Sequence, residues 1–148
     1  RDRLVPMSGG GLMAGCASAM RQLDPTCELI GVEPAAADDT RRSFAAGERV
    51  TIAPPATIAD GLAVTSPGAA TFEINRRLVD VVLAVTDDEI VEAMTVARDL
   101  LGRRLEPSGA AGLAAALVHR ERCAGRRIGI VLSGGNIDMG RFAELTAS

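Results

Sequence analysis

At 148 residues, with 47% hydrophobic and 24% charged residues, the chain has the size and composition of one globular domain with a real core, not of a disordered or fibrous protein. Its net charge is −3 and its arginines are scattered, with no basic run and no interleaved aromatics, so no nucleic-acid partner is expected. No apolar run approaches the roughly 18 residues that span a bilayer, so no membrane partner is expected either.

Residues 4–7 form a short apolar run ending in Ser8-Gly9-Gly10-Gly11, and a helical stretch follows over residues 12–23. Residues 27–32 read as the next strand, and residues 37–46 as a helix closed by Gly47. After a segment punctuated by proline and glycine, residues 69–79 have helical spacing. Residues 81–85 form a buried-strand candidate, and Thr86-Asp87-Asp88-Glu89 carries the capping-box pattern of a helix running to Leu101. Residues 108–122 predict an alanine-rich helix suited to close packing. Residues 128–132 predict a continuous apolar strand ending in Ser133-Gly134-Gly135-Asn136.

Alternating strands and helices with all-apolar strands predict an α/β fold: a mostly parallel sheet with helices on both faces, in three αβα layers. Both glycine-rich loops follow strands, so they are expected on the rim where such sheets bind ligands. Ser8-Gly9-Gly10-Gly11-Leu12 lets the backbone approach an anion closely, and the helix behind it offers free N–H donors at its positive end. That points to a phosphate, against the plainer reading of a tight turn. The loop fits neither the Walker pattern nor the dinucleotide fingerprint.

Five motifs then stand in order: Val5-Pro6-Met7-Ser8-Gly9-Gly10-Gly11-Leu12, Gly31-Val32-Glu33-Pro34, Thr57-Ile58-Ala59-Asp60-Gly61, Glu106-Pro107-Ser108-Gly109 and Leu132-Ser133-Gly134-Gly135-Asn136. Their order and spacing resemble the second half of the fold type II pyridoxal 5'-phosphate (PLP) enzymes, in the threonine/serine dehydratase and serine racemase branch. The resemblance implies that the loop Ser8, Gly9, Gly10, Gly11 and Leu12 cradles the PLP phosphate. Ser8 stands where relatives often carry a further glycine. Ser133 is implied to place its hydroxyl on the pyridine nitrogen. Gly61 and Glu106 are implied to lie near the cofactor, Glu106 doubling as an ordinary helix cap. Asp60 is a candidate for contact with the substrate hydroxyl, or else caps a turn.

The resemblance also implies a divalent cation, Mg²⁺ or Ca²⁺, held by Glu33, the carbonyl of Ala37 and Asp39, all hard oxygen ligands. The alternative is that Asp38 and Asp39 form a solvated helix start. His119 and the pairs Arg76-Arg77, Arg103-Arg104 and Arg126-Arg127 read as surface residues. The three cysteines, Cys16, Cys27 and Cys123, lack metal-ligand spacing and read as free thiols in a cytoplasmic protein.

All 16 side chains counted as lysine or arginine are arginine, so the sequence has no lysine to form a Schiff base. It starts Arg1-Asp2-Arg3, which reads as a start in mid-protein. Residues 1–148 are therefore expected to be the carboxyl-terminal portion of a catalytic domain whose first half, carrying the lysine, is absent from the sequence. The intact protein is expected to be a homodimer that deaminates L-threonine or L-serine to a 2-oxo acid and ammonia. A serine racemase is the alternative enzyme. A non-catalytic, truncated PLP- or phosphate-binding module is the alternative of another class.

Overall fold

The structure, a computed structural model, describes residues 1–147. Strand β1 (Asp2–Pro6) leads into helix α1 (Gly11–Leu23), strand β2 (Glu28–Pro34), a 3-10 turn (Ala35–Ala37) and helix α2 (Asp39–Ala46). A second 3-10 turn (Asp60–Leu62) precedes helix α3 (Ala69–Leu78), strand β3 (Val81–Val85) and helix α4 (Asp87–Leu101). Helix α5 (Pro107–Val118), the short α6 (Arg120–Cys123), strand β4 (Ile128–Ile130) and helix α7 (Met139–Leu145) complete the order.

The sheet is four-stranded in the order β3-β2-β1-β4, every pair parallel, with Leu4 opposite both Ile30 and Ile130. Its strands are apolar along their middles, where both faces meet helices, and carry Asp2, Arg3, Glu28 and Glu33 toward their ends. Leu4, Ile30 and Val32 face Ile90, Met94 and Ala97 of α4, Ala111, Ala114 and Ala115 of α5, and Phe142 of α7. Val5, Leu29 and Val82 face Met13 and Ala17 of α1, with Phe44 of α2 packed alongside. The expected three-layer α/β fold is the one observed.

Helix α5 lies closest to the sheet because its inner residues are glycine and alanine. A Cβ on Gly109 would collide with the Ser133 carbonyl oxygen, so the loop after β4 rests directly on the helix backbone. The predicted helix over residues 108–122 stops early: His119 leaves helical geometry, and α6 restarts after it. Three further departures from the expected elements stand out, and the first has a local cause. The expected helix from residue 37 begins at Asp39, because the Glu33 carboxylate takes the N–H groups of Thr40 and Arg41. The last strand ends at Ile130 instead of Leu132. Helix α7 went unanticipated, although Asp138 caps it by accepting the Arg141 N–H at 3.0 Å.

One of the arginine pairs is more than surface. Arg126 reaches the buried Asp2 at 2.7 Å and Glu28 at 2.8 Å, tying the turn after α6 to the amino-terminal ends of β1 and β2. This rim of the sheet is held by ion pairs, whereas the opposite rim carries the glycine loops.

Candidate functional site

The chain leaves β1 toward α1 on one face of the sheet and leaves the neighbouring β4 toward α7 on the other. Two adjacent strands whose connections diverge open a crevice at their carboxyl ends. There lies an open cleft of about 350 Å³, lined by Ser8, Gly9, Gly10, Gly11, Leu12, Gly61, Glu106 and Ser133, with Pro6, Leu62, Ser108 and Gly134 completing the wall. All of the sequence-predicted cofactor residues therefore line one cavity.

The loop after β1 leaves backbone N–H groups free at the start of α1. The ladder of α1 begins only where the Ala14 N–H meets the Gly10 carbonyl at 2.9 Å, so the N–H groups of Gly11, Leu12 and Met13 stand outside it. Gly10 turns the chain through a left-handed conformation, φ 92°, open to glycine at little cost. Gly9 and Gly11 have no heavy atom within 4 Å of the place where a Cβ would stand. That open space gives a tetrahedral oxyanion direct access to the backbone.

Asp60 does not line this cleft. It lines an adjoining cavity of about 240 Å³ with Ile58, Pro107, Asn136, Ile137, Arg141 and Leu145, and Glu106 borders both spaces. Ser108 stands inside the fourth motif, but the motif alone assigned it no role. It is buried, its hydroxyl has no hydrogen-bond partner among the described residues, and it stands against Gly61, where a Cβ would lie 2.9 Å from its Oγ. Its sequence signal was its place in that motif, as a hydroxyl in the first turn of a helix begun by proline.

The second predicted constellation stands at the start of α2, away from the cleft. Glu33 is 1% exposed; its Oε1 accepts the Arg41 N–H at 2.7 Å and its Oε2 the Thr40 N–H at 3.3 Å. The helical partner of the Arg41 N–H would have been the Ala37 carbonyl, which this arrangement frees. Asp39 is equally buried, and neither of its carboxylate oxygens has a hydrogen-bond partner among the described residues. Burial pushes Glu33 up to about 8, opposed by the Arg41 N–H, with the Asp39 charge adding to the rise. Burial likewise raises Asp39 to about 6, helped by the Asp38 charge. Asp38, the other acid here, is taken by Arg41 and Arg42 at 2.7 Å each. Among the described residues no group of three or more histidine, cysteine, aspartate or glutamate side chains converges, so a cation here would need a backbone carbonyl and solvent as well. Two buried carboxylates, one of them without a partner, fit such a cation.

Residues 2–134 match the family of pyridoxal-phosphate dependent enzymes. The chain belongs to that family. Over 141 residues it is 45% identical to the L-threo-3-hydroxyaspartate ammonia-lyase of Saccharomyces cerevisiae, a match covering 95% of this chain and 43% of the yeast protein. It is similar in structure to the T.th. threonine deaminase, with a TM-score of 0.90 and 43% identity, over 93% of this chain and 50% of that one. It is also similar to maize serine racemase, with a TM-score of 0.89 and 41% identity, over 97% of this chain and 45% of that one. The chain thus spans about half the length of the relatives it matches. These likenesses bear out the family resemblance read from the five motifs. The glycine cradle, the free N–H groups of α1 and the unpartnered Ser108 hydroxyl are features that a phosphate-bearing aromatic cofactor fits.

Proposed function

We propose that this chain forms the cofactor-holding part of an enzyme that deaminates a hydroxy amino acid, L-threonine or L-serine, to a 2-oxo acid and ammonia. The observation that carries the reading is the convergence of the loop of residues 8–12, Gly61, Glu106 and Ser133 on one cleft at the switch point of the sheet. Pyridoxal phosphate, when bound, supplies the electron sink that makes loss of the substrate's Cα proton feasible.

The loop N–H groups would hold the phosphate, with the amino end of α1 favouring its negative charge. Ser133 would set its hydroxyl on the pyridine nitrogen. A neutral hydroxyl, unlike a carboxylate, does not keep a proton on that atom, which favours elimination of a Cβ hydroxyl over transamination. Asp60, from the adjoining cavity, would contact the substrate hydroxyl. Glu106, on the border of both spaces, would orient the groups between them. The chain has no lysine, so in this reading the Schiff-base amine comes from the part of the relatives that the match does not reach. Glu33, Asp39 and the Ala37 carbonyl would hold Mg²⁺ or Ca²⁺, completed by water, and brace the start of α2. The intact protein in this reading is a cytoplasmic homodimer.

The test is the complete protein incubated with L-threonine and with L-serine, followed by measurement of 2-oxo acid. Oxo-acid formation is expected, and its absence across pH and metal conditions rejects the reading. The likeness to maize serine racemase favours one second reading. Formation of D-serine faster than deamination would select it.

A further inference from the structure

The cleft explains which loop meets an anion, but not what aims that loop. Its carbonyls answer this. The Gly9 carbonyl accepts the Gly68 N–H at 3.1 Å and the Thr71 hydroxyl. The Gly10 carbonyl accepts Asn75 Nδ2 at 3.0 Å as well as the Ala14 N–H. Thr71 and Asn75 are four apart on α3, so both side chains project from one face of that helix onto the loop.

In a trans peptide, the carbonyl of one residue and the N–H of the next point in opposite directions, and the described residues contain no cis bond. Pulling the Gly9 and Gly10 carbonyls toward α3 therefore turns the N–H groups of Gly10 and Gly11 away from α3. A Cβ at Gly9 or Gly11 would stand in open space, whereas one at Gly10 would meet Asn75 and Thr71 of α3. Asn75 is 1% exposed, so its amide bond to Gly10 is shielded from competing water. The contact is also tight: a Cβ at Gly10 would lie 2.6 Å from Asn75 Nδ2. Neither side chain lines the cleft. We propose that Thr71 and Asn75 are positioning residues for the cofactor phosphate, acting through the carbonyls of Gly9 and Gly10 to aim the loop's N–H groups.

This inference rests on the proposed function, and one experiment separates the two. The complete protein and its Thr71→Val, Asn75→Leu and Thr71→Ser variants are titrated with PLP and with pyridoxal, which has the same ring and aldehyde but no phosphate. The parent is expected to bind PLP more tightly than pyridoxal. Thr71→Val and Asn75→Leu are each expected to lose about tenfold in PLP affinity, the size of one buried hydrogen bond left unmade. Their pyridoxal affinity is expected to stay at the parent's value, which also shows that they fold. Thr71→Ser, which keeps the hydroxyl, is expected to keep the parent's preference. A parent that binds both ligands alike overturns the proposed function and this inference with it. A parent preference retained in full by Thr71→Val and Asn75→Leu, or an equal loss for both ligands, overturns this inference alone.

Discussion

Ser108 is a buried hydroxyl with no hydrogen-bond partner among the described residues. Such a group is destabilising by about 1–3 kcal/mol unless something outside the chain completes it. Because Ser108 lines the cleft, the cofactor or substrate is the natural candidate. Ser108→Ala is therefore expected to leave the thermal midpoint of the cofactor-free protein unchanged or slightly higher. The same change is expected to weaken PLP binding roughly five- to tenfold, about one hydrogen bond. A lowered midpoint with unaltered binding would make Ser108 a packing residue instead. At this scale the sequence was informative where function depends on local order. Glycines after a strand, and a serine at the end of another, announce themselves in a few consecutive residues. Ser108, Thr71 and Asn75 do not, because what they touch lies far along the chain: Asn75 meets Gly10 across 65 positions.

Elements were legible where their ends are written locally. The capping box of Thr86 and Glu89 is formed on both sides, with the Glu89 carboxylate accepting the Thr86 N–H at 2.7 Å. The start of α2 was less so, because its first N–H groups go to Glu33 on another element. That start is also where the cation reading can be checked. Asp39 carries a buried carboxylate without a hydrogen-bond partner among the described residues, so a ligand that binds only the folded state should stabilise it. Saturating Mg²⁺ or Ca²⁺ is expected to raise the thermal midpoint of the complete protein by on the order of 5 °C, the shift that a ligand at ~100 times its Kd gives a protein about twice the length of this chain. Asp39→Asn keeps the shape and removes the charge. It is expected to abolish the rise without lowering the metal-free midpoint, since an unpaired buried charge is gone. A rise that persists in Asp39→Asn would place the cation elsewhere.

For the whole molecule, order and alternation of elements sufficed to predict the sheet and its two covered faces. They did not show where the sheet ends. Its edges are β3 and β4, and among the described residues β4 pairs only with β1, through Ile128, Gly129 and Ile130. Beside that edge runs an apolar groove lined by Val5, Cys16, Ala19, Met20, Val131 and the stem of Arg3. An unpaired strand edge next to apolar surface is a template for pairing with another chain. The relatives are about twice as long as the match, and the remainder of such a protein is the segment expected to cover this side. The 148-residue chain produced by itself is thus expected to self-associate, with a mass by light scattering above its 15.3 kDa, and to brighten a dye that binds exposed apolar surface. The complete protein is expected to leave that dye dark. A monodisperse 15.3 kDa species with no dye signal would mean that β4 and its groove need no cover, and that this half of the fold stands alone.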